Sequence, residues 1–163
     1  YRKGLLCSLN SMEFLKDKTL NVFGPVDKNQ QYNRVILNHF LSKYKNIKHT
    51  PSLKDRKEYY NTHFIFLGNS LYEPFGFSHV ENLFNNVVPI VGKNTGTEEV
   101  FGNDYPFSVG DSVPDLVSTV EAIFNCTVDE LNNILDKAKN NLNNLTDNTF
   151  KDSYINFCSN IVN

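Results

Sequence analysis

The chain lacks the features that announce many protein classes. Its three cysteines, Cys7, Cys126 and Cys158, are far apart and odd in number, which indicates neither a disulfide framework nor a thiolate metal site. His39, His49 and His63 show no metal-ligand spacing with one another. No apolar run approaches a membrane span and no signal-peptide pattern is visible. A reducing, cytoplasmic setting is therefore expected, with peripheral attachment at a membrane surface left open. The net charge is only -2, so there is no global field to attract nucleic acid. No P-loop, dinucleotide fingerprint, nucleophile elbow, internal repeat or Gly/Ser-rich linker is present.

What remains is an ordinary globular composition. With 163 residues, 40% hydrophobic and 21% charged, the chain suits one domain with a real core. Asparagine is abundant, above all over 140–148, where the apolar periodicity persists and a solvated helix face is the natural reading. In so Asn-rich a chain, the glycosylation patterns at Asn125 and Asn144 are best explained by chance.

Periodicity and punctuation predict alternating helices and strands. A helix over 5–16 carries Leu5, Leu9, Met12 and Leu15 on one face, and a strand over 19–24 ends at Gly24-Pro25. A helix over 32–44 is buried through Val35, Ile36, Phe40 and Tyr44. A short strand over 47–50 leads to Ser52, which can cap a brief helix to Tyr60. Strands over 63–67 and 87–91 flank a loop and helix, and a turn at Thr95-Gly96 opens a short helix to Phe101. A last strand covers 105–109. Ser112 and Pro114 start a helix buried through Val113, Leu116, Val117, Val120 and Phe124, and Thr127 with Glu130 forms a capping box for a helix to about Leu145. Phe150, Tyr154, Cys158 and Ile161 stripe a terminal helix within 147–163. Such alternation implies a Rossmann-like α/β fold, a doubly wound parallel sheet.

The stretch from His63 to Val91 organises the rest. An apolar strand runs into a loop with Pro74 and Gly76, and a helix should begin at Phe77 or Ser78. The unpaired N–H groups of that helix start, with the positive end of its dipole, make a ready phosphate site beyond the carboxyl end of a strand. Glu73 and Glu81 flank it; a carboxylate repels phosphate, so both suit the neutral hydroxyls of a sugar or ribose. A plainer alternative stays open: Ser78 to Glu81 fits the capping-box spacing, and Glu73 could be a solvated loop residue. His79 reads as a helix-surface histidine, Glu98-Glu99 as a turn rather than a paired-carboxylate site, and Tyr59-Tyr60 as half-buried packing.

Ser70-Leu71-Tyr72-Glu73-Pro74-Phe75-Gly76-Phe77, followed by Val80-Glu81, resembles the donor-site motif of the retaining GT-B glycosyltransferases of the large family 4 type. The likeness continues through Lys3-Gly4, Val22-Phe23-Gly24, Pro89-Ile90-Val91, Gly96 and Glu99-Val100, in order along nearly the whole chain. Two departures stand out. The segment 82–88 is one residue longer than usual and lacks its glycine, leaving Asn85 or Asn86 for the left-handed helix end. Thr95 stands where the family has the first glycine of a pair.

The resemblance implies the C-terminal, donor-binding lobe of a hexosyltransferase-type enzyme, spanning 1–163, with 147–163 packing toward an N-terminal lobe that binds the acceptor. It also implies a UDP-, GDP- or ADP-sugar as donor, no metal and no cofactor. Lys3 would stabilise the leaving diphosphate and Glu73 would hold hydroxyls of the transferred sugar. Glu81 would hold the ribose, and Phe75, Gly76 and Phe77 would offer amides, within a site that includes Ser70 and Pro74. Gly24 and Pro51 would line the phosphate and base ends. In the family a strand precedes the Lys-Gly at the centre of the sheet, so the chain is expected to lack its first strand and to be inactive by itself. The rival is a catalytically silent lobe of the same kind that binds a ligand or partner; an unrelated nucleotide-binding α/β module is third.

Overall fold

The computed structural model describes residues 4–25, 31–52 and 56–145. In chain order these form α1 (Leu5–Ser11), β1 (Leu20–Phe23), α2 (Gln31–Lys43), β2 (Ile47–Thr50), α3 (Arg56–Thr62) and β3 (Ile65–Gly68). There follow α4 (Phe77–Phe84), β4 (Val88–Gly92), α5 (Gly96–Phe101), β5 (Ser108–Val109), α6 (Val113–Asn125) and α7 (Val128–Asn143). The expected terminal helix over 147–163 and the cap at Ser52 toward 53–55 lie outside the described residues or run into them.

All the strand pairs are parallel, as the alternation predicts. β1 pairs with β2, in register Leu20 to Ile47, and β3, β4 and β5 form a second sheet in that order. β4 is buried along its whole length, whereas Ile65, Phe66 and Leu67 of β3 are only half-buried. The central strand of the larger sheet is thus β4, and β3, apolar though its sequence is, is less deeply covered. The reason is that β3 borders a cavity of about 550 Å³, which also takes lining from β1 and from Leu5, Ser8 and Met12 along α1. Among the described residues the strands form two sheets, and β1 of one and β3 of the other both border that cavity.

The core gathers Leu9 of α1, Leu83 of α4, Ile90 and Val91 of β4, Phe101 of α5 and Leu116 and Ile123 of α6, each at most 1% exposed. On α6 the buried residues are Leu116, Val120 and Ile123. Phe124, one step of about 100° farther round, is instead exposed, resting against Phe64 with Lys18 Nζ 4.2 Å from its ring centroid. On α2, Leu37 is buried, whereas Val35, two residues or about 200° round the helix from it, is 64% exposed. α1 ends at Ser11 rather than 16, although Met12 and Leu15 remain buried. Ser8 Oγ donates to Gly4 O at 3.2 Å and Ser11 Oγ to Ser8 O at 2.7 Å, local bonds that compete with helix propagation.

The capping signals mostly hold. Thr95 caps α5, and Ser112 caps α6 by accepting from the Asp115 amide at 3.2 Å. Thr127 and Glu130 form the reciprocal box on α7. Asn86 takes the left-handed conformation, φ 58°, after α4, and Lys139 of α7 donates to its side chain. α4 itself is different. Its N-cap is Gly76, φ 75°, with no side-chain cap bond, so the Ser78–Glu81 box does not form.

Two measurements check this packing. Ile90→Ala leaves a cavity at the centre of the larger sheet and should cost about 2–5 kcal/mol in urea unfolding; a loss under about 1 kcal/mol would mean the core is not continuous there. The Glu130 carboxyl is held below its ordinary value of 4.5, first by the Thr127 backbone N–H and then by the Thr127 hydroxyl. A depressed folded value means that its contribution is present above pH 4.5 and fades as the pH falls through the folded value. Glu130→Gln should therefore flatten the acid limb of Tm against pH, and an unaltered limb would count against the capping box.

Candidate functional site

The loop over 69–76 joins β3 to α4 at the carboxyl end of the strand, and close backbone contacts hold it from three sides. On the α1 side, Asn69 Nδ2 reaches Gly4 O at 3.4 Å, and Ser8 Oγ lies 3.1 Å from Asn69 Oδ1. On the α5 side, the Gly96 amide donates to Glu73 O at 2.9 Å and Thr97 Oγ1 to Phe75 O at 3.1 Å. On the β4 side, Ser70 O sits so near Gly92 that a Cβ there would come within 2.1 Å of it.

The amides of His79 and Val80 return to Gly76 O, whereas those of Phe75, Gly76, Phe77 and Ser78 make no backbone hydrogen bond among the described residues. This is the helix start that the sequence promised, an uncapped ring of donors. Glu73 is half-buried in the loop and Glu81 is exposed on the second turn of α4. Ser70 is buried; Pro74, Phe75 and Phe77 are exposed, and the rings of the two phenylalanines meet at 4.9 Å. Ser70, Glu73, Pro74, Phe75, Gly76, Phe77 and Glu81 thus belong to one loop and helix start.

Gly24 and Pro51 form a second group, at the ends of β1 and β2. The Gly24 amide donates to Thr50 O at 3.1 Å, and His49 Nε2 donates to Gly24 O at 2.9 Å. Pro51 is exposed beside them. Of the described candidate residues only Gly24 lines the 550 Å³ cavity, which lies along the strands rather than at the 69–76 loop. Lys3 lies outside the described residues; Gly4, next to it, is the N-cap of α1.

His79 is the residue that sequence reasoning missed. It is not on the surface: it is 3% exposed, with Nε2 2.7 Å from Gly68 O. The accessible signal was the buried stripe His79, Asn82, Leu83 at helical spacing, two of whose members are polar. Asn82 is held by Tyr59, whose hydroxyl donates to Asn82 Oδ1 at 3.0 Å and is pushed up to about 12 mainly by burial. Glu98 Oε2 accepts from the Asn94 amide at 2.6 Å, a turn role rather than one half of a carboxylate pair. Among the described residues no cluster of three or more His, Cys, Asp or Glu could hold a metal, and no helix is long and apolar enough to cross a membrane.

No protein-family model matches the chain, and no curated protein matches it by sequence. Solved structures do. The N-terminal domain of a trehalose-6-phosphate phosphatase from Candida albicans aligns over 94% of this chain and 38% of its own, with a TM-score of 0.73 and 16% identity. A sucrose-phosphate synthase from Thermosynechococcus elongatus aligns over 97% and 43%, at 0.74 and 15%. The catalytic domain of starch synthase IV from Arabidopsis thaliana, solved with ADP and acarbose, aligns over 97% and 35%, at 0.61 and 14%. The chain has the α/β fold of a GT-B glycosyltransferase lobe and spans about two fifths of the length of these proteins. At such identities the likeness is one of fold.

The loop geometry is testable through its glycines. A Cβ on Gly76 would meet Thr97 Oγ1 at 2.3 Å, whereas one on Gly24, φ 117°, meets nothing within 4 Å. Gly24→Ala should cost only backbone strain, about 1–2 kcal/mol. Gly76→Ala should cost clearly more in urea unfolding, and equal losses would show that the loop is not packed on α5.

Proposed function

We propose that the chain is the donor-binding, C-terminal lobe of a retaining, metal-independent glycosyltransferase that uses a nucleotide-diphosphate sugar. The observation that carries this reading is the uncapped start of α4: backbone donors over 75–78, opened by a left-handed Gly76 and flanked by Glu73 and Glu81. The diphosphate sits on those amides, where the helix dipole favours negative charge. Glu73 accepts hydrogen bonds from hydroxyls of the transferred sugar and Glu81 from the ribose. Gly24 and Pro51 line the phosphate and base ends of the donor, and Ser70 and Pro74 shape the loop.

In the reaction, the bond from the anomeric carbon to the diphosphate oxygen breaks. A bond from that carbon to an acceptor hydroxyl forms on the same face, and the hydroxyl proton passes to the departing diphosphate. Charge accumulates on the leaving group, where preorganised amides and the Lys3 ammonium stabilise it most. The acceptor belongs to a second lobe. A silent binding lobe is the alternative, and one observation favours it: Thr95 spends its side chain capping α5, at the position of a family glycine.

Calorimetry of the full-length protein with UDP, GDP and ADP tests the reading. One of the three should bind, and Glu81→Ala should weaken it about tenfold, the loss of a hydrogen bond to a charged group. No binding of any of the three would leave the silent lobe as the better account.

A further inference from the structure

The uncapped amides of α4 are useful to a phosphate only if their spacing from the sheet is fixed, and one side chain spans that interval. His79 N donates to Gly76 O at 2.8 Å, so its backbone belongs to the first turn of α4. Its ring turns back to the sheet, where Nε2 lies 2.7 Å from Gly68 O, at the end of β3. A carbonyl only accepts, so the proton is on Nε2. The ring occupies the space that two glycines leave empty. A Cβ on Gly68 would stand 1.9 Å from Nε2, and one on Gly76 would stand 2.6 Å from Nδ1. Phe66 meets the ring edge to face at 5.1 Å. Thr97 Oγ1, donating to Phe75 O, stands at the same Gly76 position, 2.3 Å from where a Cβ would be.

We propose that His79 is a positioning residue for the donor diphosphate, setting the distance between the end of β3 and the open amides over 75–78. This rests on the donor-lobe reading above. The physical argument concerns preorganisation. A buried carbonyl that loses its donor is costly, and the loop relieves that cost by moving. Once it moves, the amides must be reassembled at the expense of binding energy. The contribution falls mainly on the phosphates, because only they touch the amides, whereas the nucleoside meets α4 through the Glu81 side chain.

Full-length protein is titrated with the preferred nucleoside diphosphate and with the corresponding nucleoside. His79→Leu fills the space without a donor and should weaken the diphosphate about tenfold while leaving the nucleoside within about twofold. His79→Gln, whose amide can donate to Gly68 O, should restore diphosphate binding to within about threefold of the natural protein. A general structural defect would instead weaken both ligands alike, which overturns the proposal, as does His79→Leu binding the diphosphate normally. Should His79→Leu not fold, nitrogen-15 NMR of the natural protein gives the answer. The His79 ring signals should report the Nε2–H tautomer and move on adding the diphosphate but not the nucleoside; unmoved signals refute the assignment. If the natural protein binds no nucleoside diphosphate at all, it is the donor-lobe reading that has failed.

Discussion

At the strand ends two stretches of backbone pack directly against each other. A Cβ on Gly96 would lie 1.8 Å from Pro74 O, so the loop over 69–76 can rest on the start of α5 only because residue 96 has no side chain. That contact fixes the loop from outside, and the hydrogen bond from the Gly96 amide to Glu73 O comes with it. The orientation of α4 and the exposure of its first amides follow. Backbone atoms give less than flexible side chains do, so the geometry at Gly96 constrains everything built on the loop.

The constraint also explains the unusual surface there. Leu71, Tyr72 and Phe77 are 45%, 64% and 76% exposed, around a helix start whose donors are also open. A loop held by its main chain does not need its side chains for packing. They face outward, available to whatever approaches the helix start, while the anchoring is done by Asn69, Ser70 and Gly76, all buried.

Much of this was legible in the sequence because the signals were local. Thr95, Ser112 and Thr127 cap helices where their spacing says they should, Asn86 takes the left-handed turn, and β2 runs over the expected residues. The start of α4 was legible too, though its cap is a glycine rather than the serine of a capping box. The errors came where burial depends on partners distant in sequence. Leu37 and Ile123 go inside while Val35 and Phe124 do not, since the two members of each pair are equally apolar and only the helix rotation decides. His79 was misplaced because a polar residue on a buried stripe is invisible to hydropathy until the carbonyl it serves, at Gly68, is known. The likeness to GT-B lobes survives at the level of the fold, with TM-scores of 0.73 and 0.74 at 16% and 15% identity.

The division into two sheets has its own consequence. β4 lies in the deepest core with Val109 of β5 beside it, whereas β1 and β2 form a separate ribbon whose strand β1, like most of β3, is half-buried. Segments with fewer buried contacts open at lower free energy, so the ribbon belongs to a looser cooperative unit than the larger sheet. On the proposed reading, the amides over 75–78 are mounted on the firm unit and the end nearer Pro51 on the yielding one. Substitutions on the ribbon can then retune which nucleobase is accepted while the anion hold stays intact.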